Sequence, residues 1–170
     1  MSQVSRLALD TPTEACLLSG RSPTAIHWRG CLTVGGTVLL SGTSSDAHTW
    51  NLIYIHLFLE ERGYTVNNLG SCVPDALLVP MCRELRPDLV VLGSVNGHGF
   101  TDGLQAIRAI RQQHDLRHLP VVIGGRLGTD GLRNAGATRR LLDAGFDAVF
   151  DNGDLGAFDL FLNRRRTAAA

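Results

Sequence analysis

The chain has 170 residues, 44% hydrophobic and 19% charged, which is enough to bury the core of one soluble domain. Its net charge is zero, with 16 basic and 16 acidic residues, so no overall field attracts it to nucleic acid or to a membrane. All the basic residues are arginines. The absence of lysine excludes a Schiff-base lysine, a Walker lysine and the lysine that response regulators place beside their phosphoacceptor.

The cysteines favour a reducing compartment. Cys16, Cys31, Cys72 and Cys82 form no CxxC pair, and the first two have no neighbouring ligands that would suggest zinc. The N-terminus lacks the apolar core of a signal peptide, and no stretch approaches 18 apolar residues. We therefore expect reduced thiols and a cytoplasmic protein with no membrane partner.

The predicted elements alternate between strands and helices. Residues 1–36 show no period and are interpreted as an N-terminal extension, followed by one domain at 37–166. Apolar, β-rich segments predict five strands, and helical spacing with Gly or Pro at the ends predicts five helices. The strands are at 37–40, 64–69, 89–93, 121–125 and 147–150; the helices are at 50–62, 74–85, 138–144, 155–165 and one around Phe100 to Ile110 capped by Thr101 or Asp102.

This alternation predicts an α/β fold with a doubly wound, five-stranded parallel sheet, flavodoxin-like or Rossmann-like in class. Ligands of such sheets bind outside the carboxyl ends of the strands. The loops that follow the first, third and fourth strands read "SGTSSDAHT", "GSVNGHG" and "GGRLGTD". All three consist of small or polar residues at the same edge, which predicts a bound cofactor there.

Asp46 and His48 are two residues apart in the first of these loops. One interpretation is an acidic residue at a helix N-terminus beside an exposed histidine. The other is a metal-ligating histidine whose second ring nitrogen is held by the carboxylate. A single histidine cannot hold a bare ion, so the metal would have to arrive with most of its coordination filled, as in a tetrapyrrole or corrin.

Other residues leave two interpretations open. The apolar arc of the helix "WNLIYIHLFLEER" is wider than one sheet face needs, which predicts either deep burial or a partner subunit over part of it. His98, between two glycines, is an exposed residue or a contact to cofactor or substrate. His56 is expected to be packed or at an interface. Each glycine loop taken alone is a turn or a site of close backbone packing.

The loop motifs resemble those of the cobalamin-binding domains of adenosylcobalamin mutases and methionine synthase, which carry DxHxxG, SxL and GG in this order. The matching segments are Asp46 to Asn51, Gly93 to Val95, and Gly124 with Gly125. The "SDxH" loop, Asn68 to Gly70 and Gly97 to Gly99 resemble the small subunits of glutamate mutases. The resemblance covers residues 37–151, essentially the whole predicted domain.

The resemblance implies that His48 ligates cobalt from below, in place of the cofactor's own base, and that Asp46 orients His48. The displaced nucleotide tail would run into a groove between the first, third and fourth strand ends. The implied cofactor-binding residues are Ser45, Asp46, Ala47, His48, Thr49, Asn51, Gly93, Ser94, Val95, Gly97, Gly124, Gly125, Arg126, Leu127, Gly128, Thr129 and Asp130.

The resemblance also implies an activity and a partner. Glutamate mutases use adenosylcobalamin to isomerise L-glutamate to (2S,3S)-3-methylaspartate by a radical rearrangement. Their substrate pocket belongs to a large barrel subunit, so this chain would be the cofactor half of a heterotetramer, inactive alone and without catalytic residues of its own. The rival expectations are a corrinoid methyl carrier, whose family usually has a helical bundle ahead of the domain, and a noncatalytic cobalamin-binding or sensor module.

The chain departs from the family motifs at two positions. Asn51 stands where the family has glycine, and we expect it to take the left-handed backbone conformation that asparagine tolerates best among non-glycine residues. Gly93 stands where the first serine of SxL is expected, which removes a hydroxyl contact to the nucleotide base. Ser94 is the candidate to supply that hydroxyl instead.

Overall fold

The computed structural model describes residues 35–128 and 134–169. It contains five strands, β1 to β5, and five helices, α1 to α5, in strict alternation, with a short 3-10 turn at His114–Leu116. Most of the predicted N-terminal extension, residues 1–34, lies outside the described residues. The bounds are β1 Thr37–Gly42, α1 Trp50–Glu60, β2 Thr65–Asn68, α2 Asp75–Leu85, β3 Leu89–Ser94, α3 Gly99–Arg111, β4 Val121–Gly125, α4 Asn134–Ala144, β5 Ala148–Asp151 and α5 Leu155–Ala169.

The five strands form one parallel sheet in the order β2-β1-β3-β4-β5. The chain moves outward from β1 to β2 and then crosses back to β3, so the direction of winding reverses between β1 and β3. Crevices at such reversal points are where ligands of open α/β sheets bind. The predicted flavodoxin-like, doubly wound fold is confirmed.

Strand alternation divides the core into two layers. Leu39, Val90 and Ile123 belong to the apolar cluster that includes residues of α2, α3 and α4. Val38 and Val91 belong to the cluster that includes α1 and α5. Because successive strand residues point to opposite faces, this assignment also fixes which side chains at the strand ends face α1 and α5.

Several helix ends differ from the sequence-based expectation. α3 begins at Gly99 with His98 at its N-cap, and not at Thr101 or Asp102. Asp102 lies inside the helix, where its carboxylate accepts hydrogen bonds from Ser45 and so serves a distant loop. α1 ends at Glu60, two residues earlier than expected, while α4 begins earlier and α5 ends later than expected. Helix ends depend on such tertiary contacts as well as on local spacing.

Among the described helices, none has both the length and the apolar character that a membrane crossing requires.

Candidate functional site

The carboxylate of Asp46 joins the loop after β1 to the loop after β3. One oxygen accepts hydrogen bonds from the backbone N–H of His48 at 3.0 Å and from its ring Nδ1 at 2.7 Å. The other accepts from the backbone N–H groups of Val95 and of Asn96, the latter at 3.1 Å. Asp46 is only 1% exposed, so the four donors replace the water that its charge has lost.

These hydrogen bonds keep Asp46 ionised. Burial alone raises the pKa of the Asp46 carboxyl, but the donors, chiefly the Val95 backbone N–H and then His48, outweigh burial and lower the pKa below its ordinary value. An ionised carboxylate only accepts hydrogen bonds, so Nδ1 of His48, which lies 2.7 Å from it, carries the proton and donates. The tautomer of His48 is therefore set by Asp46.

The ring of His48 is partly open to solvent. Its side chain is about half exposed, at 51%, while the side chain of Asp46 behind it is buried. With the proton held on Nδ1, Nε2 carries a lone pair at the open edge of the sheet. This is the arrangement of a metal-ligating histidine held by a carboxylate, which is the second of the two interpretations left open by the sequence.

A second hydrogen-bond network fixes the same loop. Ser45 donates to the Asp102 carboxylate through its backbone N–H at 3.2 Å and through its hydroxyl at 2.6 Å. The Asn96 side chain donates to the backbone oxygen and to the hydroxyl of Ser45, each at 3.0 Å. Asp102 and Asn96 were not predicted as site residues. The sequence signal for Asn96 was its place in the "GSVNGHG" loop, and Asp102 gave none beyond its capping residue type.

A cavity of about 220 Å³ lies behind this loop, between α1 and α5 and over the ends of β3, β4 and β5. Five predicted cofactor residues line it: Asn51, Gly93, Val95, Gly124 and Gly125. Most of its wall, which is aromatic and aliphatic and comes largely from α1, β5 and α5, was not predicted from the sequence. These lining residues are Trp50, Tyr54, Ile55, Val91, Leu92, Phe150, Gly153, Asp154, Leu155 and Phe158.

Two glycines at the end of β4 have no side chains, so the cavity floor there consists of backbone. A side chain at Gly125, where φ is +111°, would overlap the carbonyl oxygen of Ser94 on the next strand. A Cβ at Gly124 would lie 3.3 Å from Cβ of Phe150 in the cavity wall. The "GG" pair therefore serves both backbone packing and space at the ligand edge, two roles that the sequence could not separate.

Asn51 does not adopt the expected left-handed conformation. It lies in the first turn of α1, and the described non-glycine residues with positive φ are Cys72, Arg86 and Asn152. The prediction of a left-handed backbone conformation at this position is therefore wrong. Since the helix needs no glycine there, a glycine at this motif position would serve space in the cavity and not backbone freedom.

The Ser94 hydroxyl, the candidate to replace the one missing at Gly93, does not face the cavity. Its side chain points to the α3 side of the sheet, where a Cβ at Gly99 would lie 3.0 Å from the Ser94 hydroxyl, and it contacts the Asn96 side chain at 3.2 Å. Ser94 is fully buried and does not line the cavity. Residues 93 and 94 are neighbours in a strand and so face opposite sides of the sheet.

The other described residues predicted to bind the cofactor do not line the cavity. Ala47 and Thr49 flank His48 and are exposed, and Gly97, with φ of +84°, lies in the loop that carries Asn96. The segment after β4 leads away from the cavity: Leu127 is buried in the core cluster of α2, α3 and α4, while Arg126 is exposed and Gly128 is half-buried. The last two, Thr129 and Asp130, lie outside the described residues.

The other histidines discussed above differ in exposure. His98 is exposed at the N-cap of α3, and its backbone N–H donates to the Asn96 side chain at 2.9 Å. His56 pairs with Glu60 on the next turn of α1 at 3.2 Å, as expected for a packed surface histidine. The described residues hold no cluster of three or more His, Cys, Asp or Glu suited to a metal ion.

The donor set at this edge fits a corrinoid better than a bare ion. His48 offers one nitrogen ligand, and the adjoining apolar cavity contains a buried amide oxygen, Oδ1 of Asn51, that accepts no hydrogen bond from the described residues. A metal with most positions already filled, attached to a tail that enters an apolar cavity, would use both features.

α1 carries an exposed apolar stripe. Trp50, Ile53, Tyr54 and Leu57 are each more than half exposed, at the spacing of one helix face. Deep burial of the whole helix, the simpler expectation from the sequence, is therefore wrong for this face. The partner interpretation stays open.

Comparison with known proteins agrees with this geometry. A 28% identical relative is the glutamate mutase sigma subunit of Fusobacterium nucleatum, aligned over 68% of this chain and 85% of that protein. The HTH-type transcriptional repressor CarA of Myxococcus xanthus is 34% identical over 54% of this chain but only 31% of its own length. The monomethylamine corrinoid protein of Methanosarcina barkeri has the same fold, with a TM-score of 0.60 at 15% identity over 75% of this chain and 57% of that one.

A model of the B12 binding domain matches residues 36–156, which include every described element from β1 to β5 and the start of α5. The match spans well over half of the chain and contains the Asp46–His48 pair and every cavity-lining residue except Phe158. The chain therefore belongs to the B12-binding domain family.

Proposed function

We propose that this chain is the small, cobalamin-binding subunit of an adenosylcobalamin-dependent glutamate mutase that converts L-glutamate to (2S,3S)-3-methylaspartate. It would act in the cytoplasm as a heterotetramer with a large barrel subunit. The proposal is supported by four sigma-subunit relatives at 27–28% identity, two of which align over 92% of their own length.

The observation that carries the proposal is the buried Asp46 carboxylate behind the exposed His48 ring. In the proposed complex Nε2 of His48 would ligate the cobalt of the cofactor. Asp46 would keep the proton on Nδ1 and hold the ring in place. When bound, adenosylcobalamin supplies a carbon–cobalt bond whose homolysis starts a radical rearrangement.

The cavity between α1 and α5 would receive the nucleotide tail of the cofactor. Its wall is mainly aromatic and aliphatic, and its floor is the bare backbone of Gly93, Gly124 and Gly125. An apolar wall suits the heteroaromatic base of a nucleotide, and a floor without side chains lets the tail lie close to the sheet. The protein thus contributes binding and orientation.

The apolar stripe on α1 supports a protein partner. Trp50 and Tyr54 of this stripe also line the cavity, so the stripe is continuous with the proposed cofactor site. A large subunit placed over the bound cofactor would extend naturally onto these side chains, and exposed aromatic residues are typical interface anchors.

The direct test mixes the chain with a candidate large subunit, adenosylcobalamin and L-glutamate, and measures 3-methylaspartate. We expect product only when both proteins and the cofactor are present, and none with His48→Ala. Failure of the chain to bind adenosylcobalamin would contradict the proposal at its root. The mutase role would be contradicted if the chain binds the cofactor but gives no product with a large subunit that is active with another small subunit.

A noncatalytic cobalamin-binding module is the second candidate function. The relative with the highest identity among those described above is a transcriptional repressor, and its similarity covers part of this chain only. Cofactor binding without any mutase activity, with the His48 ligand intact, would favour this candidate.

A further inference from the structure

The two departures from the family motifs face each other in the structure. Asn51, in the place of the motif glycine, lies on α1, and Gly93, in the place of the motif serine, lies near the end of β3. A Cβ at Gly93 would lie 3.3 Å from Nδ2 of Asn51 and 3.0 Å from Cδ2 of Leu52. The space left by the missing side chain on β3 therefore adjoins the added side chain on α1.

The side-chain oxygen of Asn51 is buried and accepts no hydrogen bond in the described part of the chain. Asn51 is 9% exposed and lines the cavity, and its Oδ1 accepts no hydrogen bond from any residue that the structure describes. A buried amide oxygen without a donor costs free energy, so natural proteins seldom retain one without a role. Rotation of the carboxamide exchanges its oxygen and its NH2 group, so Asn51 can accept from or donate to a ligand.

The surrounding wall indicates the chemistry of that ligand. The rings of Trp50, Tyr54, Phe150 and Phe158 contribute to the lining, and its polar side chains are few. Such a cavity suits a flat aromatic group that carries one or two hydrogen-bonding atoms. The nucleotide end of a complete corrinoid is a group of this class, whereas the corrin ring itself is too large for about 220 Å³.

We propose that Asn51 and Gly93 form a reciprocal exchange: a side chain is absent at Gly93 on β3 and present at Asn51 on α1. The Asn51 carboxamide then makes the hydrogen bond to the nucleotide end of the cofactor. This inference rests on the proposed cofactor binding and deepens it. Asn51 is then the residue that makes this site recognise the nucleotide tail. Gly93 is small because Asn51 needs the space above it.

The test compares two corrinoids, adenosylcobalamin and adenosylcobinamide, which lacks the nucleotide tail. Asn51→Leu keeps the size of the side chain and removes its hydrogen-bonding atoms. We expect its affinity for adenosylcobalamin to fall about fivefold to tenfold, the effect of one hydrogen bond, and its affinity for adenosylcobinamide to stay within about twofold. Calorimetric titration of the purified chain gives both dissociation constants.

Thr43→Val is the matched control. The Thr43 hydroxyl is the other buried side-chain group without a hydrogen bond in the described part of the chain, and Thr43 does not line the cavity. Its replacement should leave the ratio of the two affinities unchanged. Thermal unfolding of the cofactor-free variants checks that each one folds.

The exchange itself is tested with a double variant. Asn51→Gly and Gly93→Ser should each weaken adenosylcobalamin binding, the first by loss of the carboxamide and the second by crowding against Asn51 and Leu52. Together they restore the family pattern, and we expect binding within about threefold of the wild type, far better than the product of the two single losses.

Two results would overturn the inference while leaving the proposed function intact. One is a wild type that binds adenosylcobalamin normally while Asn51→Leu changes both affinities equally or not at all. The other is a double variant whose loss is the product of the single losses. A wild type that binds neither corrinoid would overturn the proposed function and this inference together.

Discussion

Replacement of Asp46 by asparagine tests the central feature of the site. The carboxylate accepts four hydrogen bonds, two on each oxygen, and is almost completely buried. Asparagine has the same shape but only one acceptor oxygen, and its NH2 group must face N–H donors on one side. Either the His48 pair or the backbone donors of Val95 and Asn96 then lose their acceptor.

The expected cost follows from these contacts. A hydrogen bond to a charged group contributes about 1.5–3 kcal/mol, and two are lost in a buried setting. We expect Asp46→Asn to lower the free energy of unfolding by about 3–5 kcal/mol, a large part of the stability of a typical domain. The Asp143→Asn variant is the control, because Asp143 pairs with Arg139 at 3.0 Å on an exposed helix surface. The Asp143→Asn variant should lose less than about 0.5 kcal/mol of the free energy of unfolding.

Urea unfolding at pH 7 measures both variants. The slope of free energy against urea should be unchanged, so that the whole effect appears in the midpoint. A loss below about 1 kcal/mol for Asp46→Asn would show that the four hydrogen bonds do not stabilise the fold as argued.

The pH dependence gives a second check. The pKa of Asp46 is lowered on folding, so the unfolded chain binds this proton more readily and the carboxylate stabilises the fold above its ordinary pKa of 3.8. That contribution is lost as the pH falls below 3.8 and through the lowered folded pKa. The difference between wild type and Asp46→Asn should therefore be constant from about pH 7 to 5 and shrink below about pH 4.

Three further predictions concern other parts of the chain. His48→Ala should change the free energy of unfolding of the cofactor-free protein by less than about 1 kcal/mol, since the ring is half exposed. With the cofactor, it should remove the absorbance signature of a histidine-ligated corrinoid. A variant that keeps this signature would refute the ligand role. Gly125→Ala should lower the free energy of unfolding by about 3 kcal/mol or more, because residue 125 has a positive φ and its Cβ would overlap β3. Gly136→Ala, at an open helical position, should raise it by up to about 1 kcal/mol. Equal effects of the two variants in urea unfolding would contradict this. Burial raises the pKa of the Cys82 thiol to about 11, so iodoacetamide at pH 8 should label the exposed Cys72 and spare Cys82, and peptide mapping that finds both labelled would show that Cys82 is accessible.

The sequence by itself determined the features that are local in the chain. Strand and helix periods need only five to ten residues, so all five strands and all five helices were found, and their alternation was enough to predict the parallel doubly wound sheet. The Asp46–His48 contact was also predictable, because a side chain can reach a ring two residues away within one loop. The glycine pair at the end of β4 was visible for the same reason.

Only the tertiary structure decided which strand-end side chains share a face and which distant loops meet. Val95 and Asn96 donate to Asp46 across about 50 residues, and Asp102 holds Ser45 across 57. These pairings depend on the lateral order of the strands.

The cavity is the clearest example of a site that could not be predicted from the sequence. Its wall on β5 and α5 carries no motif, and Ser94, a better candidate than Gly93 by residue type, faces the other layer. A shift of one residue along a strand reverses the face, and only the packed sheet shows that Asn51 on α1 lies over Gly93 on β3.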